Sequence, residues 1–183
     1  MKMKLVIERN RYASALVLAV LGSLALLAPM AARAQAPLSA EEARLIEFGK
    51  EIFKSKAVCQ YCHKWDASGD QGYGGNALSL RVTQLTPEQL TEVVKCGRPG
   101  TGMPYHDRFA YTDKRCYGMT AADLGDQMPD RSQVTLQRDE IDALADYVAT
   151  KIKGLGKVTQ QQCYDYYGPG TVTCDMPVAA SAL

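Results

Sequence analysis

Residues 59–63 read Cys59-Gln60-Tyr61-Cys62-His63, a C-x-x-C-H. Two thiols two residues apart match the two vinyl groups on one edge of a porphyrin, and the next residue supplies an imidazole beneath the iron. The motif therefore points to one covalently attached haem c, held by Cys59 and Cys62 with His63 as proximal ligand. Other uses of the pattern fit less well. A zinc site asks for a second pair of ligands at similar spacing, and the only other histidine is His106. A thioredoxin-like C-x-x-C sits in a βαβ context that these flanks do not show, and a plain disulfide leaves His63 without a purpose.

The flanks are helical. Ser39 and Glu42 form a capping box ahead of Leu45, Ile46, Gly49, Ile52 and Phe53, which predicts a helix running to about Ser55. Past His63, the glycines Gly69, Gly72, Gly74 and Gly75 mark a loop. It is expected to wrap the haem edge, with Leu78 or Leu80 against the ring and Arg81 either exposed or paired with a propionate. Thr86-Pro87-Glu88-Gln89 opens a second helix with a cap, a first-turn proline and a closing glutamine. Leu90, Val93 and Val94 give its buried face, and Gly97 ends it.

Gly100-Thr101-Gly102-Met103-Pro104 follows, and from Tyr105 to Val134 no periodicity is visible. A stretch of that length is usually functional or tied down. A last helix is expected from near Gln137 to about Lys153, with Ile141, Leu144, Ala145, Val148 and Ile152 as its apolar stripe. The remainder carries Cys163 and Cys174 on either side of a Gly-Pro-Gly turn.

Residues 1–34 have the layout of a secretory signal peptide. Lys2, Lys4, Arg9 and Arg11 precede an apolar run from Ala13 to Leu27, and Ala32-Arg33-Ala34 places cleavage before Gln35. That run is shorter than the roughly 20 residues that cross a bilayer comfortably. The expectation is a periplasmic protein with no stable membrane insertion after cleavage; an uncleaved anchor is the alternative. Of 21 Lys and Arg, five fall in the leader, and of 20 Asp and Glu, one; 16 against 19 leaves a mature balance of −3. Nucleic acid is not an expected partner for such a chain. All six cysteines lie beyond the leader. In an oxidising compartment the four outside the motif are expected to pair, Cys163 with Cys174 as the local choice and Cys96 with Cys116 as the remainder.

The order of these pieces resembles class I cytochromes c, on Gly49, Phe53, Cys59, Cys62, His63, the Gly100 to Pro104 segment and Leu144-Ala145-Asp146-Tyr147-Val148. The resemblance covers roughly Ala40 to Gly154. It implies an all-α fold, three to four helices wrapped around one covalently bound haem, here with a long insertion and a disulfide-bearing C-terminal tail. The domain reading is signal peptide 1–34, cytochrome c domain 35–156 and tail 157–183. By the same likeness Gly49 and Tyr147 meet where the two terminal helices cross.

The resemblance also implies a methionine as sixth ligand. Met103 directly follows the second helix, with Pro104 holding the backbone extended. Met128-Pro129 is the rival, placed ahead of the final helix as the family places its ligand. Met103 is favoured because irregular insertions sit on the surface. His106 is read as a solvated loop residue, with a bis-histidine haem as the minor alternative.

Methionine ligation closes the iron to substrate, which implies a one-electron carrier and not an enzyme. Its expected partners are a dehydrogenase as donor and a downstream cytochrome or oxidase as acceptor. The extended Met-Pro loop and extra tail resemble cytochromes that accept electrons from quinoprotein alcohol dehydrogenases. The alternatives are a haem enzyme, peroxidase or sulfur-compound oxidase, in which His106 and Asp107 act beside an open iron, and a membrane-tethered cytochrome subunit of a respiratory complex.

Overall fold

Ser39 caps the first helix with its side chain and receives the Glu42 carboxylate in return, so α1 begins at Ala40 and runs to Glu51. The computed structural model describes residues 38–175; the expected signal peptide lies outside the described residues. A π turn, Ile52–Lys56, closes α1 with an Ala57 N–H to Ile52 carbonyl bond of 2.9 Å. The C-x-x-C-H motif then forms the short helix α2, Gln60–His63. Next come two strands, β1 (Asp70–Gly72) and β2 (Gly75–Ala77), paired antiparallel with Gly72 opposite Gly75. Helix α3 is Pro87–Cys96, capped by Thr86 and Gln89; α4 is Ala121–Leu124. Helix α5 is Arg138–Tyr147, followed by a π turn, Val148–Ile152; α6 is Gln160–Tyr167.

The fold is mostly helical, and the hairpin corrects a purely all-α reading. Each strand is three residues long, too short for an alternating pattern to show in sequence.

The core lies where α5 packs against both α1 and α3. Ile46, Ile52, Phe53, Leu90, Val94, Ile141, Leu144, Val148 and Ile152 fill it. Leu45, expected inside, is 43% exposed. Gly49 sits at the α1–α5 crossing: a Cβ there would lie 2.0 Å from the Ala143 carbonyl oxygen and 2.8 Å from Cβ of Tyr147. Phe53 and Tyr147 stack beside it with ring centroids 5.9 Å apart. The two residues the resemblance brings together do meet, and only glycine permits that approach.

The long segment after Met103 builds a small core of its own from Cys96, Ala110, Tyr111, Cys116 and Leu124. Disulfide Cys96–Cys116 ties it to the end of α3, and Tyr111 and Tyr117 each donate a hydroxyl bond of 2.7 Å, to the carbonyls of Cys96 and Gly97. The second disulfide is Cys163–Cys174, so both expected pairings are present.

Two side chains depart from expectation. Arg81 is neither exposed nor free for a propionate. It is 6% exposed and spends its donors on the carbonyls of Gly156 and Asp66 and the amide oxygen of Gln162. His106 is not a solvated loop residue either: it is buried, its Nδ1 donates to the Val134 carbonyl at 3.1 Å, and its backbone joins Lys95 to Leu136. Both brace irregular segments, whose backbone groups must find partners when covered.

Candidate haem-attachment site

The motif helix is bracketed by left-handed residues, Val58 with φ 53° before it and Lys64 with φ 63° after it. For a β-branched valine this is an outlier, and it marks the sharp turn by which the π end of α1 delivers Cys59. Four cysteines pair elsewhere; Cys59 and Cys62 are both free and half-buried. Burial pushes the Cys59 thiol up to about 12. A dithiol redox centre is served by the opposite, a lowered thiol pKa, which adds to the context against a thioredoxin-like reading.

His63 has its orientation fixed by one contact. Its Nδ1 lies 3.1 Å from the Leu78 carbonyl oxygen. That oxygen can only accept, so Nδ1 carries the proton and Nε2 keeps its lone pair, the state a metal ligand needs. Burial holds the imidazole below its ordinary pKa, with the Arg98 charge adding to the effect, so the ring is neutral.

The glycine-rich hairpin lies against the motif helix, and two of its glycines are dictated by that contact. A Cβ on Gly72 would stand 2.4 Å from the Tyr61 carbonyl oxygen, and one on Gly74 would stand 2.6 Å from Cys62 Sγ. The expected hydrophobic cover divides: Leu80 packs against the core, whereas Leu78 is 70% exposed. On the other side, Gln60 is held by the Lys54 carbonyl at 2.8 Å and by the Tyr166 hydroxyl at 3.1 Å. Tyr166 belongs to the main core and stacks with Trp65 and Tyr167. These tail contacts escaped the sequence reading, although Thr159 and Gln162 spell a capping box for α6.

The two methionines sit differently. Met103 is half-buried in the loop that leaves α3, its carbonyl accepting from Arg98 N–H at 3.1 Å, and it packs into neither core cluster. Met128 packs against the small core around Cys96 and Cys116.

Two free thiols, a neutral imidazole with an open Nε2, and a glycine cradle against Cys62 fit a covalent haem. Among the described residues no three His, Cys, Asp or Glu side chains gather as a metal-ligand set, and no helix is long and apolar enough to cross a membrane.

Residues 44–121 match the family described as cytochrome C oxidase, cbb3-type, subunit III. No curated protein and no solved structure shows significant similarity to the chain.

Proposed function

We propose that the chain is a periplasmic one-electron carrier built on a class I c-type cytochrome domain, a reading supported by the match of residues 44–121 to a cytochrome c family, which implies covalently bound haem c. The observation that carries this reading is the pair of free thiols beside an imidazole already locked in its ligating tautomer. In the proposed assignment Cys59 and Cys62 hold one haem by thioether bonds, His63 ligates through Nε2, and Met103 supplies the sixth ligand. Two features favour Met103 over Met128. It lies inside the matched stretch, and it is not engaged in packing a core cluster. The haem supplies a reversible one-electron iron couple, and a thioether ligand raises its potential. The protein's part is to keep His63 neutral by burial and oriented through the Leu78 carbonyl, and to hold the Met103 loop through the Arg98–Met103 bond.

The proposed partners are a dehydrogenase as donor, a quinoprotein alcohol dehydrogenase by the resemblance of the Met-Pro loop and tail, and a cytochrome or oxidase as acceptor. Such redox pairs meet through small, weak interfaces. A spectrum of the oxidised protein tests the carrier reading: methionine–iron charge-transfer absorption, and no carbon monoxide adduct on the reduced native protein, are expected. Ready adduct formation supports a haem enzyme instead.

The family description favours one second reading, a membrane-tethered subunit of a respiratory complex. It requires the leader to remain. Fractionation of expressing cells separates the two: soluble periplasmic protein beginning at Gln35 supports the carrier, and membrane-bound protein retaining residues 1–34 supports the subunit.

A further inference from the structure

The insertion after Met103 forms one wall of a groove of about 540 Å³, whose other walls are α3 and the start of α5. None of Cys59, Cys62, His63 or Met103 lines it, so it is separate from the haem site. Four cations face it, Lys95 from α3, Arg108 and Arg115 from the insertion and Arg138 from α5, against the carboxylates of Asp107 and Asp142. Arg115 is committed to Asp113 at 2.7 Å and lies 3.9 Å from Asp107, and Arg138 lies 3.8 Å from Asp142. Lys95 and Arg108 have no carboxylate partner among the described residues.

Between the cations stands an exposed ring. Phe109 has the Arg108 guanidinium 4.4 Å and the Arg115 guanidinium 5.4 Å from its centroid. The wall is rigid, because the Cys96–Cys116 disulfide and the Tyr111 and Tyr117 hydroxyls fasten the insertion to α3. Unpaired cations held in a concave surface concentrate positive potential there, although the chain beyond residue 34 is acidic by three charges, with 16 Lys and Arg against 19 Asp and Glu. The groove is partly open to solvent. Small ligands are bound where most of their surface is buried, which an open groove does not achieve; an extended segment of a larger molecule lies in it well.

We propose that this groove docks an acidic segment of a partner protein, with carboxylates on Lys95 and Arg108 and a neighbouring apolar side chain on Phe109. The test is titration of the holo-protein with a synthetic peptide of alternating Glu and Leu, followed by fluorescence anisotropy, with a Lys and Leu peptide as control. Saturable binding of the acidic peptide alone is expected. The pair Lys95→Glu and Arg108→Glu should weaken it at least about tenfold, and Arg108→Gln alone about threefold. Lys151→Glu with Lys157→Glu, exposed and outside the groove, makes the same charge change and should cost less than about twofold. The haem spectrum, unchanged in all variants, shows that fold and haem site are intact. Equal weakening by the two charge-reversed pairs overturns the proposal, as does the absence of saturable binding. Saturation by citrate without binding of the peptide assigns the groove to a small anion and overturns it too.

Discussion

At the scale of single residues, the site depends on which atoms are already occupied. The Leu78 carbonyl accepts from the Nδ1–H of His63 and leaves the Nε2 lone pair free for the proposed iron, while Arg81 and His106 are employed as braces. The same reasoning separates the methionines. Met103→Ala should abolish the methionine–iron band, lower the reduction potential and open the reduced iron to carbon monoxide. Met128→Ala should keep the band and instead cost about 1–2 kcal/mol in chemical denaturation, because Met128 is a half-buried packing residue. The opposite pattern makes Met128 the ligand. Gly74→Val puts carbon against Cys62 Sγ, so the yield of haem-bearing protein should fall severalfold while the apo-chain is still exported. The spacing of Cys59, Cys62 and His63 stands out in the sequence because the covalent attachment proposed for them requires it. The roles of Arg81 and His106 do not, since nothing in a local pattern says which distant carbonyl a side chain will reach.

At the scale of elements, the three long helices were legible because each shows its inner face as a period, and the first two also announce their start with a cap. Helices α1, α3 and α5 begin within a residue of the positions that Ser39, Thr86 and Gln137 predict. Their π ends, the three-residue strands and α6 were not read: a π turn changes no composition, and the strands are too short for periodicity. The α1–α5 crossing is the most exacting contact. Gly49→Val forces side-chain carbon into the Ala143 carbonyl, and urea titration should show a loss of about 3 kcal/mol or failure to fold.

The start of α5 holds a second test. Glu140 is buried, which opposes its charge, but Lys56 and the Gln137 N–H at 2.9 Å outweigh burial and hold the carboxyl below its ordinary pKa of 4.5. A lowered folded pKa contributes stability that is present above the unfolded value and lost as pH falls through the folded one. Glu140→Gln should therefore cost about 1–2 kcal/mol at pH 7. Its melting curve should converge on that of the unmutated protein as pH falls below 4.5. A difference constant with pH contradicts this.

At the scale of the whole molecule, one helical core carries two additions, each closed by a disulfide. The insertion is stapled to α3 by Cys96–Cys116, and α6 lays Tyr166 into the main core. Replacing Cys96 and Cys116 with serine should cost about 3 kcal/mol in the chain-entropy model, read as a lower midpoint in denaturant with the haem spectrum retained. Both pairings followed from cysteine count and proximity in sequence; the separate small core beneath the insertion did not, because its members share no period. The account rests on a haem bound to Cys59 and Cys62, and peptide mass analysis of the exported chain, made in a host able to mature c-type cytochromes, tests it most directly. It predicts one haem on the peptide spanning residues 59–63 and intact disulfides elsewhere. An unmodified peptide, its two thiols free or joined to each other, contradicts it.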